Sequence, residues 1–375
     1  MADILTHLRE LSFGYGILSY KSTNFIETPK SFLNFCKKNI NNCESLQIAQ
    51  IAKNKDFFNE EEKTTIYNGI ELAKYVIQKN IIEIEDINVS WLGNETQSGK
   101  AWDIKINGIY FSLKENSFIL HNMGLYQIIN IITDRADYKR GLHVFEKFGL
   151  AELQYWFAIT RDLMIQYLKK GTFQTKDKQG RTIKLAYSSS EDSLYLFFYD
   201  NEERIYNFST CTYQRFLNDT TSKYREKVFS KFINQNLQKN ETYLKYKKIC
   251  AETAGKNLVD FLQKNIQNNP SPRSLFSLFR ITDESYYYAK TTLDNIEVYK
   301  VPSKKNFHSK IKITDIKCSV PDSQLNLLTT IKNIDTHEEL VVRNELRYSH
   351  GQFNGTPEAK MYIDTGSLLI AYDSI

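Results

Sequence analysis

The residues whose types and spacing best fit chemistry are Asp103, Ser112 and Lys114. They sit in the run Ala101-Trp102-Asp103-Ile104-Lys105-Ile106-Asn107-Gly108-Ile109-Tyr110-Phe111-Ser112-Leu113-Lys114-Glu115. Asn107-Gly108 between two apolar runs is a hairpin signal. Eight residues separate Asp103 from Ser112, so the two fall side by side on adjacent strands. Ser112 and Lys114 share a face, because strand side chains alternate with period two. A carboxylate can anchor Mg²⁺, a hard cation that prefers oxygen, and the Leu113 carbonyl can add a ligand. The lysine can position and deprotonate a water beside the metal, or stabilise charge on a phosphate. Together these are the parts of a metal-dependent phosphodiesterase. The plain alternative is a surface hairpin whose Asp and Lys form a solvated pair; Asp315-Ile316-Lys317 carries the same letters.

Several elements must position this hairpin. Apolar periodicity predicts a helix over 61–79, with Ile66, Ile70, Ala73, Val76 and Ile77 on one face. Short helices precede it, one starting at Pro29 and running over 29–39. Strands are expected at 88–92, 101–106 and 109–114, with a polar loop at 93–99 between the first two. Helices at 121–133 and 150–170 follow. The middle reads as a hairpin of 194–200 and 204–208 and two long helices, 212–237 and 241–266. Asn268-Asn269-Pro270-Ser271-Pro272 is the best linker. Strands are then expected at 285–290, 297–301, 309–320, 340–346, 359–363 and 367–372. The fold class is therefore α+β. It divides into a helical N-terminal region (1–60), a core (61–170), a mixed segment (171–268) and a β-rich part (273–375).

The order helix, strand, Asp-bearing strand, Ser-Leu-Lys strand, helix over 61–133 resembles the PD-(D/E)XK nuclease superfamily, and within it the type II restriction endonucleases. That resemblance implies a restriction-endonuclease-like mixed sheet flanked by helices. It makes Asp103 the metal-binding aspartate and Lys114 the motif lysine. Ser112 stands where the family usually has Asp or Glu, so one carboxylate must come from elsewhere. Glu71 fits the family's glutamate on the first core helix. Glu115 points to the opposite strand face from Lys114, and Glu83, Glu85 and Asp86 are further acids nearby.

The chain has 375 residues and a net charge of +5, from 49 Lys and Arg against 44 Asp and Glu. Its composition excludes disordered, collagen-like and coiled-coil chains. Lys300, Lys304, Lys305, Lys310, Lys312 and Lys317 fall within eighteen residues against Asp315 alone. Such a stripe suits phosphates, which give affinity without sequence information. The Gly-punctuated loop that follows carries Arg343, Arg347, His350, Gln352 and Asn354. Arg pairs with guanine and Asn or Gln with adenine in the major groove. The expectation is that 300–360 reads DNA while 61–133 cuts it.

Other patterns add little. The five cysteines show no zinc spacing, and free thiols in a reducing cytoplasm are expected. No signal peptide or membrane span is visible. His121, His143 and His350 form no triad spacing. There is no phosphate loop, and Gly14-Tyr15-Gly16 lacks a dinucleotide fingerprint's third glycine. Tyr286-Tyr287-Tyr288 reads as a half-buried strand, with base stacking as the other reading. The favoured function is a Mg²⁺-dependent, site-specific double-stranded DNA endonuclease of a restriction system, homodimeric to match a palindrome. It would be a phage-defence enzyme of a prokaryotic cytoplasm. The alternatives are a non-catalytic nucleic-acid-binding protein, or an accessory nuclease of the same fold acting on single strands or RNA.

Overall fold

The structure is a computed structural model. It describes residues 4–20, 28–44, 46–53, 55–93, 101–115, 119–177, 179–292 and 295–375. The loop expected at 93–99 therefore lies, from Asn94 on, outside the described residues.

The chain is mixed α+β. Its main helices are α1 (Ile4–Leu18), α2 (Pro29–Asn39), α3 (Glu60–Gln78), α4 (Leu125–Thr133), α5 (Leu150–Leu168) and α6 (Glu241–Asn265). Among the described residues, sixteen strands build three sheets. The first has the order β1 (Ile40–Asn41), β2 (Val89–Trp91), β3 (Ile104–Ile106), β4 (Ile109–Glu115), β10 (Tyr286–Thr291), β11 (Ile296–Val301), β16 (Asp373–Ser374). The second runs β12 (Ile311–Ser319), β13 (Leu325–Asn333), β14 (Glu339–Arg347), β15 (Glu358–Gly366), β5 (Ile119–Gly124). The third is the antiparallel meander β6 (Phe173–Lys176), β7 (Thr182–Ser188), β8 (Ser193–Phe198), β9 (Asn201–Tyr206).

The first sheet positions the site. Strands β2, β3 and β4 are antiparallel, and β10 joins β4 in parallel, pairing Tyr288 with Ser112 and Lys290 with Lys114. One face is covered by α1 and α3 over a core that includes Phe13, Leu72, Trp91, Phe111 and Ala289. Burying each large side chain there contributes roughly 1.5–3 kcal/mol. The other face joins the larger core shared with the rest of the chain. Tyr286 and Tyr288 point into that core, while Tyr287 stacks on Phe111 across the sheet. The tyrosine run is thus a strand alternating between two layers.

Helix α3 starts where a capping box fixes it. Asn59 accepts from the Glu62 N–H at 2.9 Å, and the Glu62 carboxylate accepts from the Asn59 N–H at 3.0 Å. Gly14 and Gly16 belong to α1 and serve packing. A Cβ on Gly16 would lie 2.7 Å from the Ala73 Cβ and 3.0 Å from the Ile70 Cα, and one on Gly69 2.7 Å from the Ser12 Cβ. Glycine at these points lets α1 and α3 touch backbone to backbone.

Some elements differ from the sequence expectation. Residues 121–124 end strand β5, and the helix begins only at Leu125, with the Gln127 side chain accepting from the Gly124 N–H at 2.8 Å. The expected helix over 212–237 is broken. Thr220 and Thr221 are extended, and a π-helical turn occupies Arg225–Phe229. The middle hairpin turns at Tyr199-Asp200, not at 201–203. Residues 368–370 form a 3₁₀ turn in place of a strand.

Candidate active site

Asp103 stands at a fault in the β3–β4 ladder. The register pairs Ile104 with Phe111, yet the Asp103 N–H also donates to the Phe111 carbonyl at 2.7 Å. Two consecutive residues thus oppose one, which is the geometry of a β-bulge. The bulge turns the Asp103 carboxylate into the ladder. Its Oδ2 accepts from the Leu113 N–H at 2.7 Å and lies 3.4 Å from the Ser112 Oγ. The Lys114 Nζ is 3.7 Å from the same oxygen. A residue's C=O leaves a strand on the same side as its N–H, so the Leu113 carbonyl also faces this end. Asp103, Ser112 and Leu113 are buried, and the Lys114 side chain keeps 21% of its surface exposed. The structure thus brings together the four residues 103, 112, 113 and 114.

A further buried acid feels the charge of Asp103. Glu10 is in the middle of α1, only 3% exposed, and accepts from the Trp91 Nε1–H at 2.6 Å. Burial pushes its carboxyl above the ordinary carboxylate range. Hydrogen bonds from His7 and Trp91 oppose that shift, and the negative charge of Asp103 adds to it. Sequence reasoning passed over Glu10. The available signal was an acid inside the apolar helix Ile4–Leu18, three residues after His7 and flanked by the buried Leu8 and Leu11.

Glu71 is placed elsewhere. It pairs with Lys74 at 2.7 Å and lines a surface groove with Tyr67, Thr291 and Asn295. Glu115 faces the helices, accepting from Arg9 Nε at 3.1 Å and Asn68 Nδ2 at 2.8 Å. Glu83 and Glu85 lie at the opposite end of the hairpin, where Asn107 Nδ2 reaches their carbonyls at 3.4 and 3.5 Å. Lys290, buried and in register with Lys114, has its Nζ 3.6 Å from Glu297 Oε1.

Several cations of 300–360 are engaged by acids, most of them from within the same stretch. Lys304 pairs with Asp283 at 3.1 Å, Lys310 with Asp335 at 3.5 Å and Lys317 with Asp315 at 2.6 Å. Lys305 and Lys312 have no acidic partner among the described residues. Arg343 pairs with Asp364 at 3.1 Å and lies over the Tyr362 ring. Arg347 pairs with Glu345 at 3.6 Å, and His350 lies 3.7 Å from Glu358. Asn354 is buried and donates to the His350 carbonyl at 3.2 Å, and Gln352 is half-buried. His143 is buried as well, its Nε2 2.9 Å from the Tyr348 hydroxyl.

Among the described residues, no group of three or more His, Cys, Asp or Glu converges as a metal site, and no helix is long and apolar enough to cross a membrane. The chain matches no family model, no curated protein and no solved structure.

Proposed function

We propose that this protein is a Mg²⁺-dependent endonuclease that cuts duplex DNA in the manner of a type II restriction enzyme. The observation that carries the reading is the bulge-held Asp103, with Lys114 3.7 Å from its Oδ2 and a second, buried carboxylate, Glu10, repelled by its charge. Two carboxylates and a backbone carbonyl are a donor set that fits Mg²⁺, which keeps several waters and takes few protein ligands. Asp103, Glu10 and the Leu113 carbonyl would hold the ion. Bound Mg²⁺ supplies Lewis-acid polarisation of the phosphodiester and a more acidic water.

The chain's own groups do the rest. Asp103 orients the Lys114 ammonium, and the exposed end of Lys114 holds the attacking water or neutralises charge on the phosphate. Water attacks phosphorus, the 3′-oxygen leaves with a proton, and 5′-phosphate and 3′-hydroxyl ends result. The Ser112 hydroxyl braces Asp103 and does not replace the missing acid. A two-fold pair of chains would cut both strands of a palindrome, as expected of a phage-defence enzyme in a prokaryotic cytoplasm.

The test is incubation with phage DNA with and without Mg²⁺. Discrete bands that vanish in Asp103→Ala and Lys114→Ala, with DNA binding kept, support the reading. Undiminished cutting by both variants overturns the site. A second reading, duplex binding without catalysis, is favoured by the convergence of only two acids among the described residues. It predicts salt-sensitive binding and no cutting with any divalent ion.

A further inference from the structure

Two adjoining clefts of about 490 and 440 Å³ open on one side of α4. Both are lined by Tyr126 and Gln127, so they are neighbours along one surface, a groove in two parts. Arg140 lines one part, with His350 and Glu358 at its rim, and Arg135 and Arg273 line the other. These three arginines are exposed, and none has an acidic partner within ion-pair distance among the described residues. Asp134, the acid in the second cleft, accepts at Oδ1 from the Ser271 and Ser274 hydroxyls at 2.6 and 2.7 Å. Against the cost of desolvation, these bonds and also the positive charge of Arg273 hold its carboxyl below the usual range. Asn130 is likewise spent, on the backbone of Tyr138. Arg135 and Arg140 are therefore the groove's least compensated charges, and Arg273 shares its charge with Asp134.

We infer that this groove is the track for a DNA phosphodiester backbone, with Arg135, Arg140 and Arg273 as its phosphate contacts. The inference rests on the proposed reading for its choice of duplex DNA. Guanidinium is the side chain best matched to phosphate, because its planar fork gives paired hydrogen bonds. The groove also lies close in sequence to the candidate site: β5 and α4 follow Lys114 by five residues or more. The lysines of β12 are then a solvated outer edge of the second sheet, with Ile311, Ile313 and Ile316 turned inward.

The experiment measures binding of a fluorescent 30-base-pair duplex by the full chain in EDTA over a salt series. Arg135→Glu, Arg140→Glu and Arg273→Glu are each expected to weaken binding about tenfold. The triple variant should also lower the slope of log affinity against log salt by about two to three. A control at exposed lysines that line neither cleft, Lys169→Glu/Lys170→Glu, should stay within about twofold of wild type. Circular dichroism confirms folding, which charge reversal at exposed positions should leave intact. Wild-type affinity in the triple variant overturns the inference. So does failure of the wild type to bind duplex, or its preference for single strands. If binding follows the groove but the wild type never cuts with Mg²⁺, the groove stands and the endonuclease reading fails.

Discussion

Asp103 has two tasks, and its variants separate them. Its carboxylate completes the hydrogen bonding of the buried Leu113 N–H, and it faces the Lys114 ammonium. Asp103→Asn keeps an acceptor for Leu113, so stability should change little while Mg²⁺-dependent cutting falls by about 100-fold or more. Asp103→Ala should lose a further 1–3 kcal/mol or so in urea unfolding, because a buried donor is left unmet. Glu10→Gln keeps an acceptor for Trp91 and should lose cutting as Asp103→Asn does, whereas Glu71→Gln should stay within about twofold. Equal activity in Glu10→Gln and wild type would remove Glu10 from the site. A different residue sets the pH response. Burial lowers His143 to about 4 from the ordinary histidine value of 6.5. The unfolded chain therefore takes up the proton first, and the stability present above pH 6.5 is lost as pH falls towards 4. Between pH 7 and pH 5 this should cost about 2 kcal/mol, and His143→Asn should flatten that slope. Asp103, Ser112 and Lys114 were legible because a two-residue turn makes their proximity a local matter. Glu10 was not, because a helix distant in sequence brings it in. Sequence spacing likewise does not show that Asp283 and Asp335, both outside 300–317, pair with Lys304 and Lys310.

At the scale of elements, the α1–α3 crossing controls where Glu10 stands. Gly16→Ala would set a Cβ against the Ile70 backbone as well as Ala73, and backbone cannot swing aside. The helices must part, at a cost of about 1–3 kcal/mol in urea unfolding. Because Glu10 rides on α1, cutting should fall even at temperatures where the variant is fully folded. Unchanged cutting would show that the crossing does not position the site. Periodicity and caps made α2, α3, α5 and α6 readable to within a few residues. It failed at β5, where an Ile/Leu-rich stretch pairs with β15 more than 230 residues away in sequence. It failed again at 212–237, where Thr220-Thr221 interrupts an otherwise helical pattern; β-branched residues favour extended backbone. Strand β13 also went unread, although it pairs antiparallel along its length with both β12 and β14.

At the scale of the whole molecule, the first sheet takes strands from near residue 40, from 89–115, from 286–301 and from 373–374. The sequence divisions at 60, 170 and 268 cut through it. Strand β5 likewise carries the expected catalytic segment into the C-terminal sheet. A fragment of residues 61–170 should consequently show no cooperative thermal transition, and limited proteolysis should degrade it throughout. A protease-resistant fragment of that length would contradict the interlocked arrangement. Parallel pairing of β10 with β4 has no local turn signal, and so no pattern in the sequence announces it.

That pairing also has a consequence in time. Strand β4 leaves the ribosome about 176 residues before its partner β10 has been made. At 5–20 residues per second the wait is roughly 9–35 s. Throughout it, the edge bearing Ser112 and Lys114 lacks its neighbour and Lys290 is absent from beside Lys114. If the chain cuts DNA as proposed, its site would thus remain unassembled during most of its synthesis. The same nascent chains would carry an open apolar edge, the form most exposed to aggregation and to chaperone capture.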